Sequence, residues 1–128
     1  MIKLEYQKAL LLISQMLGLD ISKKTRQAPD VFARTMIAVA LMRQGYTNGH
    51  VSKVMGKHHT TIVHYIRLHN KAQQYDDYYS MAYREAFEEF YNAYMKGGPV
   101  KFKKKPFEYL RMLYSCKRKK AEMKRNYA

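Results

Sequence analysis

Apolar positions recur along the chain at intervals of three and four, and nowhere with a sustained period of two. Leu4, Ala9, Leu10, Leu12, Ile13, Met16 and Leu17 fall at helical spacing, and Gly18 is a natural stop. The polar, basic stretch 19–28 reads as a loop. Pro29 suits the first position of a second helix, with Asp30 in a first turn that favours negative charge. This helix runs through Phe32, Met36, Ile37, Val39, Ala40 and Leu41 to Gly45, a residue type that closes helices. Thr47 or Asn48 can cap a short third helix that ends before Gly56. A fourth begins near His58 and places Ile62, Val63, Ile66 and His69 on its buried side. Asp76 and Asp77 suit the start of a fifth, closed after Lys96 by Gly97, Gly98 and Pro99. Pro106 can open a last helix whose final turns are almost wholly Lys and Arg. The expected fold is all-α: about four helices in a first domain, 1–74, then an extension, 75–128, with an aromatic-rich helix and a basic C-terminal helix.

Charge adds a partner class to this picture. The chain has 128 residues, with 24 Lys and Arg against 10 Asp and Glu, a net charge of +14. Residues 1–74 carry +8, residues 75–95 carry −4 and residues 96–128 carry +10. Self-repulsion on this scale is usually tolerated for a polyanionic partner, nucleic acid first, with an anionic membrane surface or an acidic protein as alternatives. The single Cys116 has no internal disulfide partner, which argues against a secreted disulfide scaffold. The longest apolar run, Met36 to Met42, is far short of a membrane span. Glu5 and Gln7 stand where a signal peptide would turn apolar, so a cytoplasmic protein is expected, nucleoid-associated, or in host cytoplasm or virion if phage-encoded.

The chemistry concentrates in residues 47–69. A short helix, a turn at Gly56 and a second helix make a helix-turn-helix layout. Glycine suits such a bend because it takes positive φ without strain. The second helix opens with Lys57, His58, His59, Thr60 and Thr61, hydrogen-bonding side chains beside the free N–H groups of a helix N-terminus. In major-groove recognition, the N-terminal residues of the second helix reach base edges. His and Thr can hydrogen-bond bases, and a Thr methyl can pack on thymine. The plainer alternative is that His58 and Thr60 only cap the helix.

Met55-Gly56-Lys57-His58-His59-Thr60-Thr61-Ile62-Val63-His64 resembles the signature of the C-terminal DNA-binding domain of the bacterial replication initiator DnaA. Upstream, Tyr6-Gln7-Lys8-Ala9, Gly18 and Asp20-Ile21-Ser22-Lys23-Lys24 resemble that family's linker helix and basic loop, and Ala38, Ala40 and Leu41 its following helix. The resemblance spans about residues 5–74. It implies a helix-turn-helix domain that binds duplex DNA at a short box. His59, Thr60 and Thr61 would then face bases or adjacent phosphates, and Lys57 would stand where the family has Arg. Arg26 would enter the minor groove, while Arg34, or equally Thr35, would touch phosphate. Lys23, Lys24, His58, His64 and Arg67 complete the expected DNA-binding set. One turn glycine is missing, the basic loop is shorter, and His58 replaces a box-reading Asp, so binding to the initiator's own box is not expected. No P-loop is present, so the chain is not expected to act as a self-sufficient initiator.

Other readings are weaker. His50, His58, His59, His64 and His69 cluster, but the five-residue intervals from His59 to His64 and on to His69 do not suit helical chelation, so no metal is expected. No catalytic set, cofactor or small-molecule substrate is expected either. Tyr79, Tyr83, Ala86, Phe90 and Tyr94 form one helical stripe. The stripe suits a helix packed back on the first domain, or self-association or a protein partner through residues 75–95. Lys103, Lys104, Lys105, Lys117, Arg118, Lys119 and Lys120 are either a solvated run or sequence-independent phosphate contacts. The apolar residues Phe107, Leu110, Leu113 and Tyr114 make too short a face for lipid, and no membrane partner is expected. The expected function is therefore a non-enzymatic, sequence-specific duplex-DNA binder in replication or transcription control. The alternative is a structural or assembly protein, for example of a phage particle.

Overall fold

The computed structural model describes residues 1–18, 28–97 and 101–113, and every regular element among them is helical. The expected contacts Lys23, Lys24, Arg26, Lys117, Arg118, Lys119 and Lys120 lie outside the described residues, as do Gly98, Pro99, Tyr114, Cys116 and the side chain of Tyr79. The helices are α1 (Ile2–Leu17), α2 (Ala28–Arg43), α3 (Asn48–Met55), α4 (His59–Gln74), α5 (Tyr78–Lys96) and α6 (residues 106–113).

Local chemistry accounts for most of the boundaries. Gly18, Gly56 and Gly97 each follow a helix with φ +66°, the left-handed conformation that lets the chain turn away. The Thr47 side chain accepts the His50 N–H to cap α3, and the Asp77 carboxylate accepts the Ser80 N–H at 2.7 Å to cap α5. At α6 the Lys105 carbonyl accepts the N–H groups of Glu108 and Tyr109 just before Pro106 ends up inside the first turn.

Around α2 the molecule is built. Residues 32–41 are buried without a break, since α1, α3, α4 and α5 all pack against this helix. A helix covered on all sides needs no polar face, which is why Met36 to Met42 is continuously apolar. From α1 the core takes Ala9, Leu12, Ile13, Met16 and Leu17, and from α4 it takes Ile62, Tyr65 and Ala72. Leu4, at helical spacing with these α1 residues, is 66% exposed, and Val63 and Ile66, expected on the buried side of α4, are only half-buried. The α4 stripe runs 62, 65, 69, 72, so Tyr65 takes the place that apolarity alone would have given to Val63 or Ile66.

Helix α5 joins the same core through Tyr83, Ala86, Phe87, Phe90, Ala93 and Tyr94. The tyrosines bury their rings and keep a partner for the hydroxyl. Tyr94 donates to the Glu5 carboxylate, and Tyr83 shares a 2.8 Å hydrogen bond with His69 Nδ1. Arg43, at the end of α2, lies over the rings of Phe87 and Tyr91 at 4.9 and 4.8 Å. Tyr109 and Leu113 extend the core from α6, whose Pro106 stands close enough to Gly18 that a β-carbon added there would meet it at 3.5 Å.

Candidate nucleic-acid interface

Between Asp30 and Asp76 the chain has no Asp or Glu, while it has Arg34, Arg43, Lys53, Lys57, Arg67 and Lys71. Helices α3 and α4 lie inside this acid-free stretch. They are joined by Gly56, Lys57 and His58. The Gly56 N–H donates to the Lys53 carbonyl and the Lys57 N–H to the Ser52 carbonyl at 2.9 Å, the two-bond closure that ends a helix sharply. No side chain or backbone crowds the Gly56 Cα, so the need for glycine there is purely conformational.

His58 is the N-cap of α4. Its Nδ1 accepts the Thr60 N–H at 3.3 Å and lies 2.8 Å from the Thr60 hydroxyl. A backbone N–H can only donate, so Nδ1 is the acceptor and the proton of the neutral ring sits on Nε2. The hydroxyl therefore also donates to Nδ1, and its oxygen keeps free lone pairs. The exposed first turn thus offers one N–H donor from His58 and one oxygen acceptor from Thr60, and the His59 ring stands 4.3 Å from that of His58. Capping and surface display are not alternatives here, because one ring nitrogen serves each.

Thr60, His64, Arg67 and Lys71 then follow at spacings of four, three and four on one exposed face of α4, opposite the buried stripe. Thr61 and Lys57 are half-buried at its edge. Lys53 on α3 and Lys71 are exposed cations absent from the expected set. The spacing from Arg67 to Lys71 was the signal for the second.

One expected contact needs correction, and a second is already paired. Arg34 is only 4% exposed, in the middle of buried α2, so it does not present a guanidinium to a phosphate. Its charge is felt inside, where it counters the upward shift that burial gives the Tyr6 and Tyr65 hydroxyls. Lys104 is not free either, because its ammonium pairs with Glu85 at 2.7 Å. Lys103 and Lys105 remain exposed.

The histidines divide by environment. His69 is 4% exposed, edge-on to Phe87 with ring centroids 4.5 Å apart. Burial, and secondarily the Arg43 charge, lowers its pKa to about 4, so it is neutral at pH 7. His50, His58, His59 and His64 are exposed. Among the described residues no three of His, Cys, Asp or Glu lie close enough to share a metal ion, and no helix is long and apolar enough to cross a membrane. No family model, curated protein or solved structure matches the chain.

Proposed function

We propose that α3, the Gly56 turn and α4 form a helix-turn-helix that binds duplex DNA, with the first turn of α4 in the major groove. The observation that carries this reading is the placement of His58, His59 and Thr60. They are exposed at a helix N-terminus, on an acid-free stretch, with the opposite side of α4 fixed in the core. The positive end of the helix dipole favours an approaching phosphate, and the Nε2 donor and Thr60 oxygen supply groups that can discriminate base edges. The face continues through His64 and the cations Arg67 and Lys71, which are suited to the backbone beside the groove. The likeness of residues 55–64 to the DnaA signature agrees with the same arrangement. The substitution of His58 for an acidic residue changes what that position can read, so a different box is proposed.

Selection of bound duplexes from a random pool at fixed salt tests the reading. Enrichment of one short motif is the expected result. Binding without any enriched motif would leave a general DNA binder and remove the base-reading role of α4.

A further inference from the structure

A second basic region is organised by acids. Lys101 to Lys105 run as a non-helical segment ahead of α6, beside the acidic side of α5. Both oxygens of Glu89 are engaged there. One accepts the Lys103 N–H at 3.1 Å, and the other accepts the Tyr109 hydroxyl at 2.7 Å. The Tyr109 oxygen in turn accepts the Lys104 N–H at 3.2 Å. Tyr109 itself is fully buried, with Phe102 edge-on to its ring. This carboxylate–tyrosine pair fixes the backbone of residues 103 and 104 and, through it, which lysines face out. Lys101, Lys103 and Lys105 are exposed, whereas Lys104 turns back onto Glu85.

We infer that Lys101, Lys103 and Lys105 form a separate phosphate-contacting surface for nucleic acid, that Glu89 positions it, and that Lys104 is not part of it. A merely solvated lysine run would make neighbouring lysines equivalent. The fixed segment makes them unequal, since Glu85 already neutralises one ammonium. The partner chemistry is the phosphodiester backbone, and the contact carries no base preference because a lysine ammonium on a phosphate reads only charge. The inference rests on DNA being the partner, as proposed above, but not on α4 reading sequence.

The test is the salt dependence of binding to a random-sequence duplex, followed by fluorescence anisotropy on the full chain. Each phosphate neutralised contributes about 0.9 to the magnitude of the slope of log K against log salt. Lys101→Ala, Lys103→Ala and Lys105→Ala are each expected to flatten the slope by about 0.9, and Lys104→Ala to leave it unchanged. Glu85→Gln releases Lys104 and should steepen the slope by about 0.9, a gain that disappears in the double variant with Lys104→Ala. Equal effects from all four lysines, or none from any, would overturn the inference. Absence of duplex binding at any salt would overturn it together with the DNA-binding proposal. A random pool that enriches no motif, with the lysine pattern intact, would remove only the base-reading role of α4.

Discussion

Helices α4 and α5 both carry side chains typical of binding surfaces, and they use them in opposite directions. The first turn of α4 leaves His58, His59 and Thr60 outside, while Ile62, Tyr65, His69 and Ala72 hold the helix to the core. Helix α5 turns Tyr83, Phe87, Phe90 and Tyr94 inward, and its acids Glu85 and Glu89 are taken up by the following segment. Aromatic content is therefore a poor guide to a recognition surface in this chain. A tyrosine can be a core residue whenever its hydroxyl finds an acceptor, as Tyr94 does at Glu5 and Tyr109 at Glu89. A His-Thr run without acids at a helix start has no such internal use apart from the one cap.

The contrast can be broken from the α5 side first. Phe90→Ala empties a fully buried site and is expected to cost about 3–5 kcal/mol in denaturant unfolding. A cost below about 1 kcal/mol would mean that α5 is not part of the core. Next comes acid. His69 is neutral when folded, with a pKa of about 4, whereas the unfolded side chain titrates near 6.5. Between these values the unfolded state binds the extra proton, so stability falls as pH drops from about 6.5 to about 4. The loss from this group approaches about 3 kcal/mol, and His69→Gln should flatten that part of the stability–pH curve. A smaller effect belongs to the turn. Gly56→Ala forces a side chain into positive φ and should cost about 1 kcal/mol, read as a lowered unfolding midpoint. Smallest is His59→Ala, which removes an exposed ring and should change stability by no more than about 0.5 kcal/mol.

Much of the fold was legible because its boundaries rest on single residues with local roles. Thr47, Asp77, Gly18, Gly56 and Gly97 act within one turn of their own position, so sequence alone places these boundaries to within a residue, with Asn48 and Asp76 as the competing caps. The capping role of His58 was legible for the same reason. What the sequence hides is which of several similar residues a distant element covers. Arg34 looks like a surface cation until α2 proves to be central, and Lys104 looks like its neighbours until Glu85, nineteen residues away, pairs with it. Tyr65 enters the α4 stripe because packing selects the spacing 62, 65, 69, 72 over the more apolar choice. The approach of Pro106 to Gly18, at the end of α1, has no local signal at all.

The most direct test of the α4 face is the affinity of His59→Ala and Thr61→Ala for a selected site and for random duplex, measured side by side at one salt concentration. A groove-reading first turn predicts a loss of about 1–3 kcal/mol at the selected site and little change on random DNA. Equal losses on both duplexes, or none on either, would contradict it.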